Sequence, residues 1–404
     1  MNKLIKNYSY NFLYQIISVV IPLITAPYLA RTLGPNEIGI YSYVNSIAIL
    51  ISTISMLGIF NYGNRQIAYV RDNKELLSQT FWSIMSTRLI LGIIGTFAYF
   101  TLILLSNNYK IYFTIYYTYI LANIIDCTWI YVGLEDMKWA VLKNSLTKII
   151  SLLGIFIFVN TPNDTWKYIL LMGSSVLLSN VLAYSQLRTY VKKPRFIFKH
   201  SLNIIKESFY LFLPSLATTV YMQCDKIMIE FITKENFQIS FYDYSEKIVV
   251  IPLTFITVLN AVIMPRLANE YANHNTNNIE KLVNNSLNFS LFFAIPMTLG
   301  MSVISEKLIP WYLGSDFIPT ISAIKVLSPI IIFNSISGVF GSQYFTATNQ
   351  INKLLISQVS AVFINIISNI LLIPKYGFIG ACITTVISSV VCSSIQYIAT
   401  KELN

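Results

Sequence analysis

The chain has very few charged residues, and this scarcity excludes an ordinary soluble domain. Of its 404 residues, 11% are Asp, Glu, Lys or Arg, against about 25% in a typical soluble domain. Hydrophobic residues make up 55% of the chain, and they are grouped into runs of about 20 residues, the length that crosses the hydrocarbon of a bilayer as a helix. The composition therefore predicts an all-α integral membrane protein.

Sequence signals for nucleotides, metals and disulfides are also missing. No glycine precedes a lysine, so the chain has no P-loop for ATP. The four cysteines lie in apolar runs without C-x-x-C spacing, and the two histidines, His200 and His274, lie in polar connectors. Zinc sites need these residues clustered at short spacing, and no Ser-His-Asp set can be assembled. We therefore expect no metal, no cofactor and no enzymatic activity.

The apolar runs predict about twelve membrane spans. Proline inside several of them, including Pro329, predicts local breaks, which membrane helices tolerate where neighbouring groups satisfy the freed carbonyls. We place the spans at 9–30, 38–60, 80–105, 111–132, 139–159, 166–187, 207–232, 244–264, 286–305, 320–345, 354–374 and 378–399.

The longest polar connector divides six spans from six. We therefore predict an N-lobe at 1–190, a basic cytoplasmic connector at 191–206 and a C-lobe at 207–404. The two halves share a short echo, because Ile38–Tyr43 resembles Ile239–Tyr244 and each follows the first span of its half. This pattern predicts two pseudo-symmetric six-helix lobes around a central cavity that holds the binding site.

The positive charges predict the orientation of the chain. With the N-terminus in the cytoplasm, 18 of the Lys and Arg residues fall on the cytoplasmic side and 8 on the other. This bias predicts that both termini are cytoplasmic. The net charge of +10 then reflects membrane topology, and it gives no reason to expect a nucleic-acid partner.

Five charged residues within the predicted spans need a particular explanation. A charge at the centre of a membrane helix costs roughly 2.5–3.5 kcal/mol on insertion scales, so these side chains should face the protein interior or a wet cavity. Each also has a structural interpretation. A pair four residues apart on one helix could simply hold that helix, a residue near a span end could snorkel to the headgroups, and a carboxylate could make an interhelical hydrogen bond. The five are Arg88, Asp126, Asp225, Lys226 and Glu230. The first interpretation applies to the pair Lys226 and Glu230, the second to Arg88 and the third to Asp126.

A series of short motifs runs through nearly the whole chain. In order they are Tyr28–Pro35 with Gly39–Tyr43, Gly58–Arg65, Asp126–Trp129 with Gly133–Glu135, Asp225–Met228, Glu246–Lys247, Met264–Arg266, and Ile373–Gly377 with Gly380–Ala381. Their order and spacing resemble polysaccharide flippases of the Wzx type, within the multidrug/oligosaccharidyl-lipid/polysaccharide exporter superfamily. Glu230 departs from that pattern, because a small or apolar residue is expected at its position.

The resemblance implies a transport function. A protein of this kind moves an undecaprenyl-pyrophosphate-linked oligosaccharide repeat unit from the inner to the outer leaflet of the bacterial cytoplasmic membrane, for O-antigen, lipopolysaccharide, capsule or exopolysaccharide assembly. It works by alternating access without ATP hydrolysis, and its partners are the lipid-linked oligosaccharide, the bilayer, and glycan polymerase and export proteins.

Roles follow for the charged residues. We expect Arg88 and Lys226 to contact the pyrophosphate head, and Arg31 and Arg65 to lie at the two mouths of the cavity. The carboxylates would couple an ion or form charge pairs; they are Asp126, Asp225 and Glu230.

Two other functions remain open at this point. A cation-coupled drug or metabolite antiporter of the same superfamily would keep the fold, but carboxylates would dominate its cavity, whereas the charges here are mixed. A membrane-embedded glycan polymerase or glycosyltransferase would need a sizeable extramembrane loop for its chemistry, and the loops here are short.

Overall fold

The computed structural model describes residues 3–106, 108–192, 197–198 and 200–401, and these residues form helices without any strand. The expected all-α fold is confirmed. A π-helix at Gly338–Phe345 and short 3-10 turns at Pro162–Asp164 and Ser315–Phe317 accompany the α-helices. The α-helices are α1 (Lys3–Met56), α2 (Ile59–Val70), α3 (Lys74–Leu105), α4 (Lys110–Ile125), α5 (Thr128–Gly133), α6 (Met137–Phe158), α7 (Thr165–Tyr190), α8 (Ser201–Thr233), α9 (Asn236–Ala272), α10 (Thr276–Tyr312), α11 (Thr320–Leu327), α12 (Ile330–Ser337), α13 (Ile351–Tyr376) and α14 (Phe378–Lys401).

The helices have the length and hydropathy of membrane spans. Within the described residues, 8 helical stretches are long and apolar enough to cross a bilayer, and one of them, Tyr14–Met56, is 43 residues long and contains most of two predicted spans. Helices α8 and α9 are not among the 8, and each contains five charged residues. The chain is therefore a multi-pass membrane protein whose charge is concentrated in particular helices.

Three breaks in the helices interrupt or separate four of the predicted spans. In α1, Gly34 has φ 78° and ψ 174°, a conformation that favours glycine, and it separates the spans predicted at 9–30 and 38–60. The span predicted at 111–132 is not one helix, because α4 ends at Ile125 and Asp126 is extended (ψ 123°). The span predicted at 320–345 divides at Pro329, whose ring nitrogen cannot donate to the preceding turn.

The chain forms two compact units, Met1–Thr219 and Val220–Asn404, called here the N-terminal and C-terminal units. The boundary between them falls within α8. The lobe boundaries expected at 190 and 207 stay a prediction, and the basic connector at 191–206 lies partly outside the described residues, which omit 193–196 and 199.

Each unit is held by close helix packing. In the N-terminal unit α7 packs on both α4 and α6, and an aromatic core beside α5 includes Phe81 stacked on Trp129, with ring centroids 5.1 Å apart. In the C-terminal unit α13 and α14 pack against each other, and α9, α11 and α12 contact α14. Apolar side chains such as Phe97, Leu153 and Phe363 remain exposed, as expected of surfaces that face lipid.

Replacing Gly58 by alanine tests the packing of α2 in the N-terminal unit. Gly58 has φ +71°, and a Cβ atom there would lie 2.9 Å from both the Phe212 nitrogen and the Ser208 carbonyl oxygen. Since backbone atoms cannot move aside cheaply, Gly58→Ala should cost about 1–3 kcal/mol. The thermal unfolding midpoint of the purified protein in detergent should fall by several degrees.

Gly300→Ala is the matched control, because a Cβ atom at that helical position meets nothing within 4 Å. Equal midpoints for the two variants would contradict the tight approach of α8 to Gly58.

Candidate functional site

A buried polar cluster in the N-terminal unit surrounds the break between α4 and α5. The last carbonyls of a helix have no helical partners, and the hydrocarbon of a membrane offers no water in their place. Side chains of α3, α5 and α7 supply the missing donors. The bonds are Asn180 Nδ2 to the Ala122 oxygen (2.8 Å), Arg88 Nε to those of Asn123 (3.0 Å) and Ile124 (3.2 Å), Tyr184 Oη to that of Ile125 (2.6 Å) and Trp129 Nε1 to that of Asp126 (3.2 Å).

Arg88 is committed mainly to this helix end. Its side chain is buried, with a residue exposure of 2%, so the interpretation that it snorkels to the headgroups was wrong. Nη2 donates to the Asn123 carbonyl and lies 3.5 Å from Asp126 Oδ2. The guanidinium thus sits where the helix dipole is negative. Its Nη1 atom is buried and has no hydrogen-bond partner among the described residues.

Asp126 forms the other side of the break. Its Oδ1 accepts hydrogen bonds from the Thr128 backbone nitrogen (2.8 Å) and hydroxyl (2.6 Å), so it satisfies the first backbone N–H group of α5, which has no helical partner. The interhelical contact that the sequence suggested exists as the 3.5 Å pair with Arg88. Ion coupling at Asp126 stays a prediction.

Lys143 in α6 belongs to the same region, and sequence reasoning missed it. It was counted among the cytoplasmic charges because it lies near the predicted start of a span, yet its exposure is 1%. Its Nζ donates to Asn144 Oδ1 at 3.0 Å and to Ser179 Oγ at 3.4 Å. The helical spacing contained a usable signal, since Lys143, Thr147 and Ser151 are four residues apart and buried, whereas Leu146 and Leu153 are exposed.

The C-terminal unit contains a second buried cluster, centred on Asp225 in α8. The Asp225 carboxylate is 1% exposed and accepts hydrogen bonds from neutral donors on α9, α13 and α14. One oxygen receives Tyr242 Oη (2.6 Å) and Thr385 Oγ1 (2.9 Å), and the other receives Asn365 Nδ2 (3.0 Å) and Asn369 Nδ2 (2.5 Å). Four donors satisfy the carboxylate. The sequence could not predict them, because they come from three different helices.

Lys226 is neutralised by carboxylates of the next helix. Its Nζ lies 2.8 Å from Asp243 Oδ1 and 3.0 Å from Glu246 Oε2. Asp243 also receives Lys247 Nζ at 2.6 Å. Asp243 is 1% exposed, so its pair with Lys226 is buried inside the protein. Glu230, which the helical spacing suggested for Lys226, is itself buried.

The two remaining cations expected to bind substrate are exposed. Arg65 lies 3.6 Å from Glu207, with both side chains about half exposed, and its guanidinium carbon is 5.8 Å from the Tyr62 ring centre. Arg31 is exposed in α1, three residues before the Gly34 break. Neither is buried as Arg88 and Lys226 are.

The clusters differ in their balance of charge. Around the α4–α5 break lie two buried cations, Arg88 and Lys143, and the Asp126 carboxylate that pairs with Arg88. In the C-terminal unit, Lys226 is buried with an excess of carboxylates; these are Asp225, Glu230, Asp243 and Glu246. Within the described residues, no group of three or more His, Cys, Asp and Glu side chains is arranged to hold a metal ion.

Comparison with known families identifies the family of this chain. Residues 4–270 match the family described as polysaccharide biosynthesis protein. The chain belongs to this family. The resemblance to polysaccharide flippases is thereby confirmed.

Known relatives extend the match along the chain. It is 22% identical to a putative O-antigen transporter of Escherichia coli strain K12, covering 97% of this chain and 95% of the relative. It is 21% identical to a probable low-salt glycan biosynthesis flippase of Haloferax volcanii, covering 93% and 79%. The fold is similar to that of the lipid II flippase MurJ in an inward closed conformation, with TM-score 0.74, 18% identity, and coverage of 96% and 87%.

Replacing Asp225 by asparagine tests the second cluster. The substitute removes the negative charge and replaces one acceptor oxygen by an NH₂ group, so charge-assisted hydrogen bonds, worth about 1.5–3 kcal/mol each, become neutral ones or are lost. The thermal unfolding midpoint of Asp225→Asn should therefore fall well below that of the wild-type protein in the same detergent.

Tyr221→Phe serves as the control, because it removes a hydroxyl that bonds Ser389 Oγ (2.8 Å) and the Thr385 carbonyl (3.4 Å) and leaves the four donors of Asp225 in place. Its midpoint should change little, and an Asp225→Asn variant as stable as this control would disprove the network.

Proposed function

We propose that the protein is a flippase that moves undecaprenyl-pyrophosphate-linked oligosaccharide repeat units from the inner to the outer leaflet of the bacterial cytoplasmic membrane. The observation that carries this proposal is the family match over residues 4–270, joined to a relative named O-antigen transporter that aligns over nearly the whole chain. The fold shared with the lipid II flippase MurJ supports the same kind of cargo, a polar glycan on a lipid.

The N-terminal cluster supports recognition of the pyrophosphate head. Phosphate oxygens are strong acceptors for guanidinium and ammonium groups, and Arg88 Nη1 is a buried donor without an acceptor in the described part of the chain. We propose that the carbonyls at the end of α4 fix the position of Arg88, and that its Nη1 donates to a phosphate oxygen of the head. Arg31 and Arg65, being exposed, are proposed as contacts at the two mouths of the path.

The C-terminal cluster supports a change of partners during transport. In the described state the Lys226 ammonium is matched by Asp243 and Glu246, so it reaches the head only if it leaves these carboxylates. Asp225, held by neutral donors alone, is proposed to exchange a proton or a small cation, with Asp126 and Glu230 as further ion-coupling or charge-pair positions.

The membrane potential supplies a source of direction without ATP. Moving one negative charge outward gains about 2.3 kcal/mol per 100 mV of inside-negative potential, and a pyrophosphate head carries at least one such charge. We propose alternating access by rocking of two lobes. The protein is then a transporter without catalysis, working beside glycan polymerase and export proteins, with both termini in the cytoplasm.

The excess of carboxylates in the C-terminal unit favours one second candidate function. A cation-coupled antiporter for drugs or metabolites would bind cations at such a site. Resistance to cationic dyes on overexpression, with no effect on surface glycan, would favour that function over the flippase.

Loss of the gene should abolish surface polysaccharide and cause lipid-linked repeat units to accumulate on the inner leaflet.

Complementation with Arg88→Met or Lys226→Met should leave export at least tenfold below the wild-type level, because the head loses a cationic contact, while the protein remains in the membrane. The measurements are polysaccharide gels, lipid-linked oligosaccharide analysis and membrane immunoblots.

Lys325→Met is the matched control, since Lys325 forms an exposed pair with Glu306 and should restore export fully. Normal export by both Arg88→Met and Lys226→Met would remove their assigned roles, and normal glycan in the deletion strain would reject the flippase function.

The orientation can be tested with fusions. A fluorescent protein joined after Asn404 should fluoresce and alkaline phosphatase there should be inactive, because the excess of Lys and Arg keeps this end inside. Alkaline phosphatase joined after Asn160, in the connector before α7, should be active. The reverse pattern at the two sites would invert the proposed topology.

A further inference from the structure

Lys143 is a buried cation without a carboxylate partner among the described residues. Its Nζ is held by Asn144 Oδ1 and Ser179 Oγ, both neutral. Lysine is almost never fully buried unless it is paired, and burying an uncompensated charge is expensive. Packing alone gives no reason for an ammonium here, since a methionine would fill a similar volume without that cost.

Lys143 lies beside the break between α4 and α5. Ser179, one of its partners, precedes Asn180, whose side chain bonds the Ala122 carbonyl at the end of α4. Arg88 donates to the next two carbonyls of the same helix end, those of Asn123 and Ile124. The two buried cations therefore lie beside one helix end, where Asp126 pairs with Arg88.

The same neighbourhood contains donors that lack acceptors. Arg88 Nη1 is one, and the indole Nε1 of Trp139 is another; both are buried and have no hydrogen-bond partner in the described residues. Trp139 lies one turn before Lys143 on α6, so the two share a face, and its ring packs against the aromatic core that contains Cys127 and Tyr131. A region with two buried cations and two unused donors is complementary to an oxyanion.

We infer that Lys143, together with Arg88, forms a phosphate-binding site at the α4–α5 break. This inference rests on the proposed flippase function and names a further residue for its head-group site. One added negative charge balances the two cations against Asp126, and the phosphate oxygens accept from the ammonium and from Arg88 Nη1. Because Lys143 is 1% exposed in the described state, the phosphate enters in another state of the transport cycle.

Pyrophosphate binding to the purified full-length protein tests this site. In detergent, sodium pyrophosphate should raise the thermal unfolding midpoint of the wild-type protein saturably, beyond the effect of sodium chloride at equal ionic strength. Lys143→Met should weaken the apparent affinity at least tenfold, and Lys143→Arg, which keeps the charge, should retain most of it.

Lys148→Met is the matched control on the same helix. Lys148 also lacks a carboxylate partner in the described residues, but it is only partly buried, bonds Ser18 Oγ at 2.6 Å and lies over the Tyr14 ring, so its pyrophosphate response should equal that of the wild type. An unchanged response of Lys143→Met, or no response of the wild type beyond ionic strength, would overturn the site.

Glycan export by the same variants separates this inference from the proposed function. Lost pyrophosphate binding together with lost export in Lys143→Met supports both. If the pyrophosphate response depends on Lys143 but the deletion strain makes normal glycan, the phosphate site stands and the flippase function fails. If Lys143→Met exports normally and binds pyrophosphate as the wild type does, the flippase function stands and the site fails.

Discussion

The absence of water in the hydrocarbon is the constraint on which the buried structure depends. Any carbonyl freed by a helix break, and any buried charge, has to find its partner within the protein. The end of α4 shows how this is met, because side chains of α3, α5 and α7 bond successive carbonyls from Ala122 to Asp126. Arg88 is buried for this reason before any role in transport is considered.

The same constraint gives the two clusters their different chemistry. Around the α4–α5 break, buried donors and positive charge are in excess, whereas negative charge is in excess around Asp225 and Lys226. The proposed flippase function assigns the anionic head to the first cluster and an exchanged proton or small cation to the second.

Much of the fold could be predicted from the sequence, because apolar runs of span length and the bias of Lys and Arg are local properties. The candidate site could be predicted only as a set of unusual residues. Arg88, Asp126, Asp225 and Lys226 were found because charge is rare within spans, and all except Asp126 are buried. Lys143 was missed because a lysine near a span end looks like a topology signal until the neighbouring helices are known.

The sequence alone determined that the chain is helical, that it lies in a membrane and that it resembles polysaccharide flippases. Hydropathy, span length and motif order depend only on the order of residues along the chain. Only the tertiary structure decided which side chains bond the buried charges. Asp225 meets Tyr242, Asn365, Asn369 and Thr385, and Lys226 meets Asp243 and Glu246. These groups are separated by 17 to 160 residues in the chain, and only helix packing brings them within hydrogen-bonding distance.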